Sequence, residues 1–141
     1  MTPSIVPPEH VTTVWLQILP YIRRLTRRSE GRIAELQMLE DCIARTLQLW
    51  IAFEETEGNK IYGFAMTRLP KYPTAKLTSI DYVGGEKAEL WIPILLDAIE
   101  SWSKEMGNTG VEVIGRLGWE KFLQRVDRPF IKKYVVMERK F

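Results

Sequence analysis

The sequence predicts a mixed α/β domain, with a strand, a long helix and a second, parallel strand at the centre of a mixed sheet. Three observations carry this reading. Apolar residues recur at helical spacing through the first third of the chain. Short apolar runs bounded by turn residues follow, as strands do. A long helical pattern then stands between two such runs, and a crossover of that length joins parallel strands.

The elements follow in order. Pro7-Pro8-Glu9 suits a helix start, since proline fits the first turn and an early acid faces the positive end of the dipole. Val11, Val14, Trp15, Ile18, Leu19, Ile22 and Leu25 form an amphipathic stripe that Pro20 is expected to kink or split. Ile33, Leu36, Leu39, Ile43 and Leu47 predict a second helix. Leu49 to Phe53 and Ile61 to Leu69 predict a hairpin around Glu57-Gly58-Asn59-Lys60. Lys76 to Val83 reads as a third strand ended by Gly84-Gly85. Lys87 to Met106 is the longest helix, regular from near Leu90 because of Pro93, with Leu90, Trp91, Ile94, Leu95, Ala98, Ile99 and Trp102 expected inside. Val111 to Ile114 is a strand, Leu117 to Val126 a helix, and Phe130 to Glu138 a closing strand.

With 141 residues and 45% of them hydrophobic, the chain has the material for one domain spanning 1–141 and is not a disordered polymer. Cys42 stands alone, so no internal disulfide forms, and one Cys with one His cannot build a nitrogen–sulfur zinc site; no metal is expected. No apolar run approaches the roughly 20 residues that cross a bilayer, and MTPSIVPPEH lacks the plan of a signal peptide. A soluble intracellular domain without a membrane partner is the expectation. The net charge of +2 is unevenly spread, with residues 1–32 and 116–141 basic and the middle acidic. So small a charge and the absence of a reader motif argue against a nucleic-acid partner.

The order of elements, and above all the stretch from Gly107 to Phe141 with Gly-Val-Glu-Val-Ile-Gly-Arg-Leu-Gly-Trp-Glu-Lys-Phe-Leu, resembles the GNAT family of N-acetyltransferases. That stretch, with Val-Pro-Pro-Glu-His-Val and Trp15 near the start, is similar to small GNAT-like proteins of tailed phages and prophages. The resemblance implies a pyrophosphate of acetyl-CoA held by backbone N–H groups after the third strand, at Val83, Gly84, Gly85, Glu86 and Lys87. The family pattern Gln/Arg-x-x-Gly-x-Gly/Ala is absent there, and Glu86 adds negative charge, so weak or absent acetyl-CoA binding is expected. The resemblance also implies an Asn at Arg116 and a proton-donating Tyr at Leu123; leucine has no proton to give. Asp81, near its strand's end, and Glu112 are the carboxylates available as a general base, and Tyr134 is the first substitute acid. Each also has a plain structural reading: a strand-end acid, a glycine pair that merely ends a strand, tryptophans that belong to the core.

Two functions follow. The first is a phage-encoded GNAT-fold protein with an eroded acetyl-CoA motif, cytoplasmic in the bacterial host or associated with the virion, serving virion assembly or structure through protein subunits of the particle or a homo-oligomer. Its arginine-rich segment Arg23 to Arg28 and basic C-terminus would then be contact surfaces. The alternative is an acyl-CoA-dependent N-acetyltransferase with a divergent pyrophosphate loop, working by binding and proximity.

Overall fold

The computed structural model describes residues 1–141. Strand β1 (Thr2–Ile5) is followed by a short 3-10 turn (Pro8–His10) and helices α1 (Val11–Arg28) and α2 (Glu35–Ile43). Strands β2 (Gln48–Glu54), β3 (Lys60–Arg68) and β4 (Leu77–Gly85), helix α3 (Ala88–Glu105), strand β5 (Gly110–Val113) and helix α4 (Gly118–Arg125) complete the elements. The sheet runs β1-β2-β3-β4-β5, antiparallel except for the parallel pair β4–β5 that the α3 crossover creates. No helix is long and apolar enough to cross a membrane.

The sheet is buried on both faces. On one, Ile18 and Ile22 of α1 and Met38 and Cys42 of α2 pack against Leu49, Phe64 and Met66. On the other, Trp91, Leu95 and Ile99 of α3 and Leu123 of α4 pack against Trp50, Ala65 and Ile80. Two-sided burial makes β3 an almost unbroken apolar run from Ile61 to Met66.

Several expectations are corrected. The sheet begins with β1, which the sequence reading missed: Thr2-Pro3-Ser4-Ile5 has no apolar alternation and joins through its backbone, with Pro3 tolerated because β1 is an edge strand. Phe130 to Glu138 is not a closing strand, because no strand lies beside it and residues 129–141 make no backbone hydrogen bond to the rest of the chain. Pro20 does not split α1. Both Pro20 and Leu16, whose carbonyl loses its partner, face solvent, so the freed group lies on the side open to water. Helix α3 is regular from Ala88, with Pro93 inside it. The buried stripes are also rotated from those expected. Met38 and Cys42 are inside, whereas Leu36 and Ile43 are exposed; Ile92 and Leu96 are inside, whereas Leu90 and Ile94 are exposed.

A hydroxyl network fastens the start of β4 to the end of α3. Thr78 and Ser103 share a 2.6 Å hydrogen bond, and the Asn108 amide donates to Thr78 Oγ1 at 3.0 Å. Pairing of β4 with β5 stops at Ile80 and Val113, the last backbone bond running from Ile114 N to Ile80 O at 3.0 Å. From Asp81 to Gly85, β4 continues with β3 on one side and no strand on the other.

Candidate functional site

The point where β4 and β5 part is marked by a bulge. Met66 of β3 faces Tyr82 and Thr67 faces Ile80, so Asp81 is the extra residue of β4. Bulges of this kind end pairing and re-aim side chains. Asp81 therefore lies within its strand, at the mouth of the split, rather than near the strand's end. Its carboxylate accepts from Arg68 Nε at 2.8 Å and from Ser79 Oγ at 2.5 Å. Both carboxylate oxygens are thus engaged, one by Arg68 and the other by Ser79.

Two cavities meet beyond the bulge. One of about 30 Å³, lined entirely by apolar side chains, lies among Ile80, Val83, Val113, Trp119 and Leu123 against α3. The second, about 170 Å³, opens at the outer end of β4 between α1 and the first turns of α3. Val83, Trp91, Ile92 and Trp119 wall both, so they form one cleft with an apolar inner end and a wider outer end. Arg24 and Arg28 are the only charged residues on the wall of the outer end, and Tyr21 is its one phenol.

Of the residues the sequence singled out, Val83, Gly84 and Gly85 line the outer cavity. Glu86 and Lys87 do not. The Glu86 N–H donates to the Tyr62 carbonyl at 2.8 Å, and its own carbonyl accepts from Trp91 Nε1 at 2.8 Å. Its carboxylate pairs with Lys60 Nζ at 3.2 Å, and that ammonium holds it below the usual carboxylate range. Burial first, and then the Glu86 charge, push the Tyr21 phenol up. Lys87 takes a left-handed backbone (φ 53°) at the start of α3, with its ammonium 5.7 Å from the centre of the Tyr62 ring. Gly85 (φ +152°) is required by packing, since a β-carbon there would run into the Tyr62 carbonyl and the Trp91 indole.

The acid–base candidates are not assembled. Tyr134 is 93% exposed in the segment after α4 and lines neither cavity. Glu112 of β5 accepts a hydrogen bond from the Tyr72 hydroxyl at 3.0 Å. Leu123 is buried and presents a methyl-rich wall to the inner cavity. Tyr82, half-buried on β4, has its phenol pushed up by burial and by Asp81.

The sequence reading gives the arginines of α1 as a contact surface and does not place Arg24 and Arg28 at a cavity, though α1 carries four arginines and no acid. Such a helix face draws anions.

No protein-family model matches the chain. No curated protein matches it either. Solved structures do. An aminoglycoside acetyltransferase from an uncultured soil metagenomic sample, in complex with sisomicin, is similar over 99% of this chain and 95% of its own, with a TM-score of 0.70 and 16% identity. Ribosomal-protein-alanine N-acetyltransferase from Brucella melitensis biovar Abortus 2308 is similar over the whole of both chains, with a TM-score of 0.71 and 9% identity. An aminoglycoside N-acetyltransferase in complex with CoA is similar over 99% of each chain, with a TM-score of 0.65 and 14% identity. At identities between 9% and 16% the likeness is one of fold, and the fold is that of the GNAT acetyltransferases.

Proposed function

We propose that the protein is an acyl-CoA-dependent N-acyltransferase. The observation that carries this reading is the parting of β4 from β5 at the Asp81 bulge, with an apolar cleft in the gap. A strand with one free backbone edge, from Asp81 to Gly85, can take a narrow amide-bearing arm as though it were another strand. Val83, Val113, Trp119 and Leu123 would enclose the arm and exclude water. When bound, the coenzyme supplies a thioester, an acyl group activated towards amines. An eroded turn motif alone favours a role in assembly; the cleft gives acyl transfer the better support.

Catalysis on this reading rests on holding the reactants together, which can supply several kcal/mol of the barrier. Arg68 and Ser79 fix the Asp81 carboxyl group at the split, where it can orient an amine acceptor. The acceptor nitrogen forms the new C–N bond as the C–S bond breaks; since Leu123 cannot donate, water at the wider outer end would take the proton the nitrogen sheds and return one to the departing thiolate.

Titration calorimetry with acetyl-CoA, followed by a thiol-release assay with mixed amine acceptors, tests the reading. Micromolar binding with amine-dependent release of free thiol is expected. Binding without release under any amine would remove the enzyme, and absence of binding would remove the whole reading.

A further inference from the structure

We propose that Arg24 and Arg28 form a diphosphate clamp, so that charge carried by α1 replaces the backbone cradle that the β4–α3 turn lacks. The inference rests on the acyltransferase reading for its ligand, the diphosphate of coenzyme A, but its geometry stands apart from the acyl chemistry.

The turn itself is poorly equipped. The Glu86 N–H is spent on the Tyr62 carbonyl, and Gly85 has no room for a side chain, since an added β-carbon would meet that carbonyl and the Trp91 indole. These contacts weld the turn to β3 and leave it little freedom to close around an anion.

Across the cavity the situation is reversed. Arg24 and Arg28 are four residues apart on one helix, which sets them on one face. Neither has an acidic partner, whereas Arg23 pairs with Glu35 at 3.3 Å and Arg32 with Glu30 and Glu138 at 3.1 and 2.8 Å. Both line the outer cavity opposite Gly84, Gly85 and Ala88, and no acid lines it with them. Two unpaired guanidiniums facing the first turn of α3 make a site for a ligand with two neighbouring negative charges. Arginine offers several N–H donors in a fixed fork, which suits bridging phosphoryl oxygens. The side chains are exposed, so the attraction is screened by salt and the affinity should fall as ionic strength rises.

The test is calorimetry on the full chain with coenzyme A, with pantetheine, which lacks phosphate, and with inorganic pyrophosphate. It compares the wild type, Arg24→Gln with Arg28→Gln, and the control Arg27→Gln, an exposed arginine of the same helix outside the cavity. The double variant should lose coenzyme A affinity by about tenfold per arginine, as charged hydrogen bonds do. It should lose pyrophosphate binding and keep pantetheine binding, while Arg27→Gln behaves as wild type. Should the double variant fail to fold, the two single variants carry the same comparison. Coenzyme A binding that is indifferent to both arginines overturns the clamp and leaves the acyltransferase reading standing. Arginine-dependent pyrophosphate binding without coenzyme A binding upholds the clamp and removes the acyltransferase. Binding of none of the three probes overturns both.

Discussion

The indole of Trp91 occupies the space that a β-carbon on Gly63 would fill. The helix that roofs the cleft and the central strand of the sheet are thus in contact without an intervening side chain. The same indole donates from Nε1 to the Glu86 carbonyl at 2.8 Å, so one residue joins β3, the β4–α3 turn and α3.

Trp91→Ala should therefore cost about 3–5 kcal/mol of stability, the range for removing a buried tryptophan. Gly63→Ala should cost about 1–3 kcal/mol by overpacking, although it adds one methyl group. Chemical denaturation of both variants measures this. A loss below about 0.5 kcal/mol for Gly63→Ala would mean that the two elements move apart freely.

Thr67 relays a buried hydrogen-bond chain: Trp50 Nε1 donates to Thr67 Oγ1 at 3.0 Å, and that hydroxyl donates to Gln48 Oε1 at 2.8 Å. Thr67→Val keeps the shape and strands the indole N–H. A loss of about 1–3 kcal/mol is expected in the same denaturation experiment, and Thr67→Ser should recover most of it.

Asp97 accepts from Arg128 Nε and Nη2, both at 2.8 Å. The guanidinium holds its carboxyl below the ordinary value of 3.8. A depressed carboxylate adds stability above its unfolded pKa and loses it as pH falls through the folded value. Arg128→Gln should melt slightly below the wild type at neutral pH, and the gap should close as pH drops below 3.8. A gap that persists unchanged in acid would show that Arg128 acts through packing instead.

Cys42 is 2% exposed, and burial pushes its thiol up to about 12. The native protein should resist iodoacetamide at mildly alkaline pH and react fully once unfolded. Fast labelling of the native state, followed by mass spectrometry, would place α2 outside the core.

The parallel β4–β5 unit was legible because its signals are local: apolar runs, a glycine pair and a helix long enough for a crossover. Phase and pairing were less so. In α3 apolar residues surround the helix, so periodicity places Ile94 in the core as readily as Ile92 and Leu96, and only the position of the sheet decides between them. Phe130 to Glu138 reads as a strand by composition, yet a strand exists only where another offers its edge. β1 is the reverse case: its residues say little and its partner does the work. Gly84 and Gly85 stand out in the sequence and line the outer cavity, but the contacts with Phe64, Tyr62 and Trp91 that demand glycine there are set by register. Arg24 and Arg28 were hidden because arginine on a helix reads as a solvated face until the fold brings a cavity to it.

The place of β1 in the sheet has a consequence for how the chain assembles. β2, β3 and β4 form a meander whose neighbours are close in sequence, and they can pair early. β1 comes first along the chain but aligns Thr2 with Phe53 and Ile5 with Trp50, across both helices of one face. Closing so long a loop carries an entropic cost that only the finished β2 edge repays. The earliest residues of the chain are thus among the last to be fixed, and until they dock, the edge of β2 stays open to strands from other molecules.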